Sequence, residues 1–425
     1  PSLAPLSPVK NNEKPILARE LRYYLSSRLC VRNRRIFQHN RAETRAMTVT
    51  YFSKSSIIGP SSRYRVFQFL PHFQAAGIDC HVDALFGETY FSILNVRSCA
   101  LRTLLKIPYA LVCFLQRLWT LLTLGRRDLI VIEGQLFPYA PPLAERLLRW
   151  CRYRVAIEMD DAIYLTPGHE RKMPALLSMA TGAIVGNDRL AAYATQFSSR
   201  VCVVPTVVDT ERFKPDSTRS IGSSAQNSEA ITIVWIGLAY NLKYLDVLAP
   251  ALRALQPTFH LTLRVVCSQP PYMPGVEIDF RTWDFQREVA DLQDAAIGVM
   301  PLEDTEWARG KCGLKLLQYL AVGVPAVASP VGVNRDIIVN GENGFLASTE
   351  QDWYERLDAL CRQPQLRARM GQAGRRTVEE RYSLAVWGPR LAEVYRTLAE
   401  NEHLNVVPQA VYSPVPGHHR STGTR

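Results

Sequence analysis

The segment Arg309–Ala347, RGKCGLKLLQYLAVGVPAVASPVGVNRDIIVNGENGFLA, constrains the fold most, because it packs a glycine turn, a basic helix and a buried strand into one short unit. Gly310 and Gly313 bracket a turn that runs into Leu314–Val322, a helix-period stretch stopped by Gly323 and Pro325. With a helix starting at or just before Lys311, the side chains of Lys311, Lys315 and Gln318 share one face, and Leu314, Leu317 and Ala321 line another. A helix N-terminus with free amides and two lysines is a cradle for an anion such as a diphosphate. An ordinary amphipathic helix with solvated lysines has the same spacing, so both readings stand on the residues alone. PAVAS, apolar and β-branched after Gly-x-Pro, reads as a buried parallel strand.

Upstream, strand and helix signals alternate. Thr48–Ser53 reads as a strand, Arg63–Ala76 as a helix with Val66, Leu70 and Phe73 on one side, and Asp79–Leu85 as the next strand, which makes a βαβ opening. Leu129–Ile132, Arg154–Met159, Ala183–Val185 and Val201–Val204 read as further strands, with a helix over Leu143–Trp150. Asp216–Glu229 is Ser- and Gly-rich, as a linker should be, and the alternation restarts at Ile231. Two doubly wound α/β domains follow, each binding ligands at the carboxyl ends of its strands. At 425 residues and 47% apolar, the chain can fill both cores.

The Arg309–Ala347 unit resembles the donor-binding signature of the family 4 (group 1) retaining glycosyltransferases of GT-B fold. There a glycine turn and a helix lead to GxPVVAS, a glycine-rich turn and an NGxxG-like loop, and Gly323, Pro325, Ser329, Gly332, Gly341, Asn343, Gly344 and Phe345 stand in the matching places. The family's E-x7-E pair is replaced: Gly310 stands for the first glutamate, which contacts the sugar, and Gln318 for the second, which contacts the ribose. The chain is similar to a subgroup with GKCxxKxLQYMA in place of that motif. Gln318 can still hydrogen-bond a diol, whereas Gly310 replaces no carboxylate. ITIVWIG, residues 231–237, is an apolar strand ending in Gly237, and Lys243 follows where the family commonly carries a phosphate-binding lysine. The family's neighbouring arginine is Leu238 here, and taken alone Lys243 also reads as a surface lysine at a helix start. The resemblance thus implies a donor site of Gly237, Lys243, Arg309, Lys311, Gly313, Lys315 and Gln318, with Lys243, Lys311 and Lys315 on the diphosphate and Arg309 contributing.

Two N-terminal motifs are candidates for the acceptor side. GPSSRYR, residues 59–65, is a Gly-Pro turn whose Ser61 and Ser62 can cap a helix beginning at Arg63. The resemblance turns this loop, with Gly59, Ser61, Ser62 and Arg63, toward the cleft, where Arg63 touches donor phosphate or an anionic acceptor; a mere capped turn is the competing reading. EMDDA, residues 158–162, puts Asp160 and Asp161 at the carboxyl end of a strand. Many family members have His-Asp there, so Asp160 replaces the histidine, Asp161 matches the aspartate, and these two are the candidate catalytic residues that orient the acceptor hydroxyl. A metal on these carboxylates is the competing idea, and the resemblance implies none.

The implied reaction is hexosyltransferase-like: a sugar moves from a nucleoside diphosphate donor to a hydroxyl of a glycan or lipid-linked acceptor, with retention and no cofactor beyond the donor. Its usual setting is surface polysaccharide or glycan assembly, in the cytoplasm or peripherally on the inner face of the membrane. A non-catalytic sugar-nucleotide binder and a GT-B sugar-nucleotide epimerase are the alternatives. The implied plan is two Rossmann-like domains facing a cleft: 47–212 on the acceptor side, a linker over 213–230, 231–383 on the donor side, and a helix over 384–400 crossing back to the first domain.

Outside that plan, residues 1–46 hold ten Lys/Arg against three Glu and so carry most of the net charge of +11. This leader reads as a disordered basic arm lacking a secretory signal's apolar core, with Met47 as the expected native start. Nucleic acid is not an expected partner, because the basicity is local. The tail 401–425 is expected to be disordered. Nine dispersed cysteines without CxxC pairs point to reduced thiols rather than a zinc site or disulfide framework, and Cys312 reads as either packed or alkylation-sensitive. Ile93–Leu124 is rich in Leu, Phe and Trp, yet its longest uncharged run, Ile107–Gln116, is shorter than the roughly 20 residues a bilayer span needs. Arg102, Lys106, Cys113 and Arg117 suggest a basic interfacial stripe for peripheral membrane contact; helices packed on the first sheet are the other reading.

Overall fold

Runs of buried apolar residues too short for helices build two parallel sheets. The computed structural model describes residues 46–94, 96, 98–216 and 230–400, so the expectations for the leader, the tail and most of the linker lie outside the described residues. Strands β1 (Met47–Ser55), β2 (Ile78–Phe86), β3 (Leu129–Glu133), β4 (Val155–Met159), β5 (Gly182–Val185) and β6 (Val201–Val203) form a sheet in the order β2-β1-β3-β4-β5-β6. Strands β7 (Ala230–Ile236), β8 (His260–Cys267), β9 (Ile278–Thr282), β10 (Ile297–Met300), β11 (Ala326–Ala328) and β12 (Gly344–Leu346) form the second, in the order β12-β11-β10-β7-β8-β9. All named pairings are parallel. LIVIE of β3 and VAIEM of β4 are buried along their whole lengths, as strands covered on both faces must be.

The order in which strands are added reverses between β1 and β3 in the first sheet and between β7 and β10 in the second, and crevices for ligands open at such switch points. Ser55 and Glu133 end the strands at the first switch point, and Gly237 follows β7 at the second. The helix Leu384–Glu400 returns to the first sheet's domain. Tyr395 stacks on Phe73 at 4.8 Å, Arg396 donates to the Ala76 carbonyl, and Leu398 covers Gly182.

Three local expectations are corrected. The helix expected over Arg63–Ala76 is three pieces, Pro60–Arg65, a 3-10 turn Phe67–Phe69, and Leu70–Ala75, because Pro71 has no N–H to continue the ladder. Its start is Gly59 with Pro60 in the first turn, so Ser61 and Ser62 lie inside the helix and do not cap it. The basic helix begins at Leu314, after Gly313 in the left-handed region at φ 71°, so Lys311 precedes the helix instead of sharing its face. Finally, Cys99–Leu122 is one continuous helix of 24 residues despite Pro108, with a mean hydropathy of 1.3, long and apolar enough by those measures to cross a membrane.

Candidate active site

The turn Gly310–Cys312 of the second domain is locked onto the loops that follow β4 and β5 of the first. Asn187 caps the helix Asp188–Ala194 by accepting from the Leu190 amide at 2.9 Å, and its amide nitrogen donates to the Gly310 carbonyl at 2.9 Å. The Cys312 thiol donates to the Asp160 carbonyl at 3.0 Å, and Arg189 pairs with Glu306 beside it. Gly310 is required by close approach: a Cβ there would lie 2.7 Å from the Ala162 Cβ and 3.1 Å from its backbone nitrogen. A side chain at 310 and the Asp160–Ala162 loop cannot occupy the same space.

That contact brings Asp161 against two lysines. Lys311 Nζ stands 4.0 Å from Asp161 Oδ1. Lys315 lies along Gly237, where a Cβ would sit 2.9 Å from Lys315 Cε, and its ammonium is 5.6 Å from the centre of the Trp235 ring. Burial first, then the neighbouring Lys311, lowers Lys315 to about 8, with Asp161 opposing. Burial and then Asp160 raise Asp161 to about 6, with Lys311, Lys54 and Lys315 opposing. Near neutral pH the cluster therefore presents a charged Lys315 and an ionised Asp161, a local field suited to an anion on one side and a proton acceptor on the other.

A deeper acidic layer went unnoticed in the sequence. Register sets Glu133 beside Glu158 at the carboxyl ends of β3 and β4. Glu133 accepts from Ser62 Oγ at 2.7 Å and from the Lys54 amide at 3.1 Å, and burial followed by Asp160 raises it to about 7. Glu158 pairs with buried Arg65, which also donates to the Val204 carbonyl at 2.8 Å. Burial raises Glu158 all the same, against the guanidinium that faces it. The available signal was a glutamate at or next to the carboxyl end of each of two otherwise apolar strands, a place where an unpaired charge is costly.

The remaining expected residues are placed differently. Gln318 is buried and donates to the Tyr64 hydroxyl at 2.9 Å, which joins the basic helix to the GPSSRYR loop. Arg63 is buried against the second domain, 3.6 Å from Glu288 and over the rings of Trp283 and Phe285. Gly59 sits over the Ser55 side chain, and Ser61 is half-buried next to it. Lys243 is exposed, with its ammonium over Tyr244 at 5.2 Å. Arg309 is half-buried and held by Asp304 at 2.6 Å and Glu306 at 2.8 Å, so its charge is already matched by two carboxylates. Among the described residues no three His, Cys, Asp or Glu side chains are grouped to hold a metal ion.

Residues 230–363 match the family described as glycosyl transferases group 1. The chain is 30% identical over 201 residues to a D-inositol 3-phosphate glycosyltransferase of Frankia alni, a match spanning 41% of this chain and 48% of that one. It is 34% identical over 85 residues to the glycosyltransferase EpsD of Bacillus subtilis, spanning 20% of this chain and 22% of that one. The chain thus spans about half the length, or less, of these curated relatives. Among solved structures, a glycosyltransferase of Rickettsia africae aligns with a TM-score of 0.62 at 12% identity, over 84% of this chain and 99% of that one. HepE of Anabaena, in complex with UDP-glucose, aligns with a TM-score of 0.60 at 13% identity, over 83% of this chain and the whole of that one. The fold is therefore the two-domain GT-B fold of glycosyltransferases. The match to the group 1 glycosyl transferase family lies within its second domain.

Proposed function

We propose that this protein is a retaining glycosyltransferase that moves a sugar from a nucleoside diphosphate donor to a hydroxyl of a glycan or lipid-linked acceptor on the cytoplasmic side. The observation that carries this reading is the convergence of Lys311 and Lys315 with Asp161 where the two domains touch, 4.0 Å separating Lys311 from Asp161. In the transfer, the bond from the anomeric carbon to the diphosphate oxygen breaks, the acceptor oxygen bonds to that carbon from the same face, and the acceptor proton passes to the departing diphosphate. Lys311, Lys315 and the amides at the start of the Leu314–Ala321 helix stabilise the charge that grows on the leaving group. Asp160 and Asp161 orient the acceptor hydroxyl, and the missing side chain at Gly237 lets the Lys315 stem pack alongside it toward the diphosphate. No cofactor beyond the donor is called for, and surface polysaccharide or glycan assembly is the setting proposed.

The absence of a side chain at Gly310 supports a second reading, a sugar-nucleotide binder without turnover. Incubation with nucleotide sugars and candidate acceptors, followed by NMR of the product's anomeric proton, separates the two. Transfer with the donor's configuration supports the enzyme reading. An inverted product overturns retention, and binding without nucleoside diphosphate release favours the non-catalytic reading.

A further inference from the structure

The Cys99–Leu122 helix is turned inside out relative to a soluble surface helix. Two of its polar side chains face the protein: Arg117, only 1% exposed, donates to Asp83 Oδ1 at 2.8 Å and to the Ser53 carbonyl at 2.8 Å, and Thr120 donates to Asp83 Oδ2 at 2.8 Å. Its apolar side chains face out. Leu104, Leu111, Leu115, Leu118, Trp119 and Leu122 recur at helical spacing and all stand exposed, Leu104 at 69% and Trp119 at 67%. The basic stripe expected from Arg102, Lys106, Cys113 and Arg117 is not the outer face, because Cys113 and Arg117 are buried.

A second apolar edge lies nearby in the chain. In the helix Leu143–Trp150, Leu143, Leu147 and Trp150 are exposed, Trp150 at 81%. The Tyr153 hydroxyl donates to the Leu124 carbonyl at 2.9 Å, and Phe114 packs on Phe137 at 5.3 Å, so the segments flanking the second helix lie against the first helix and the turn that follows it. Exposed apolar side chains concentrated in this way mark a docking site. Over residues 99–154 there are nine Lys/Arg and three Asp/Glu. Lys106, Arg126, Arg146, Arg149, Arg152 and Arg154 are exposed, whereas Glu133 and Glu145 are buried and Asp128 is bonded to Thr48.

We propose that this face, formed by the Cys99–Leu122 and Leu143–Trp150 helices, docks the protein peripherally on an anionic lipid bilayer. Apolar side chains, tryptophans and an unbroken excess of cations are what such a surface recognises. A second copy of this chain would set cation against cation across a two-fold axis, which argues against self-association here. Crossing the bilayer would require Arg117 to leave Asp83, so the helix lies on the membrane rather than through it. The inference does not depend on the proposed sugar transfer.

The test is flotation of the full chain with phosphatidylcholine vesicles, with and without phosphatidylglycerol. The wild type is expected to float with the anionic vesicles and to stay behind with the neutral ones. The variant L104Q/L111Q/W119Q is expected to lose about tenfold or more in partitioning, with its thermal melting unchanged. R146Q/R149Q, which leaves the apolar stripe intact, is expected to weaken flotation measurably. Equal flotation of L104Q/L111Q/W119Q and wild type would overturn the proposal by placing the binding elsewhere, in the basic leader for example. Equal flotation with neutral vesicles would overturn the anionic surface. A wild-type dimer in sedimentation that dissociates in L104Q/L111Q/W119Q, without flotation of either, would show a second copy to be the occupant.

Discussion

Replacing Lys315 by Met keeps the length and apolar stem of the side chain and removes its charge. In the folded protein, burial and Lys311 bring this ammonium from an ordinary 10.5 to about 8. At roughly 1.4 kcal/mol per pH unit, the charged form then costs the folded state about 3 kcal/mol. The ammonium keeps some contact with water, so the gain expected in the variant at pH 7 is about 1–3 kcal/mol. The sign follows from proton linkage. Below about 8, Lys315 is protonated folded and unfolded, and the whole cost is present; between about 8 and 10.5 the unfolded chain binds more protons, and stability rises with pH; above that the cost is gone. Lys315→Met should therefore unfold at higher denaturant than the wild type at pH 7, by an amount that shrinks as the pH is raised through that window. The same variant should lose affinity for a nucleoside diphosphate. Urea titrations at several pH values read the first effect and calorimetry the second. A variant less stable than wild type at pH 7, or a gain flat across the window, would refute the reasoning that Lys315 is a binding group held at the expense of stability.

Other outcomes follow from the same contacts. Free-enzyme kcat/KM should be bell-shaped in pH, falling below about 6 as Asp161 is protonated and above about 8 as Lys315 loses its proton; a flat profile between pH 5 and 9 would remove both from the chemistry. Gly310→Glu, which restores the family's residue, should destabilise by about 1–3 kcal/mol and reduce transfer, because Ala162 occupies the space; full activity with unchanged melting would show the loop to be free to move. Cys312 should resist iodoacetamide in the native state, since burial and Asp160 hold its thiol well above the usual range, and rapid labelling of this residue in intact protein would contradict the locked turn.

What could be read from the sequence was whatever depended on local period. β7 and β4 are short, mostly apolar runs, and Leu384–Glu400 is amphipathic along its length, so their types and approximate bounds were legible. Pro71 and Gly313 show where that reading failed: each resets the backbone, breaking one expected helix and moving Lys311 off another. Lys311 still reaches the site, through a turn held by Asn187 that sits 123 residues away from Gly310 in the chain. Glu133 and Glu158 were missed because a glutamate at or next to the end of an apolar strand looks like a strand stop until register sets the two side by side. The Cys99–Leu122 helix was recognisable as apolar and interrupted by charge. Which face turns inward is decided by Asp83, 34 residues from its partner Arg117, and no period reveals that.

The most direct test of the donor site is isothermal titration of the full chain with UDP, GDP and ADP, repeated with Lys311→Ala and Lys315→Met. The expected result is binding of one nucleoside diphosphate, weakened by about tenfold or more in each variant, as loss of a hydrogen bond to a charged group requires. Tight binding of a diphosphate that is unchanged in both variants would contradict the site.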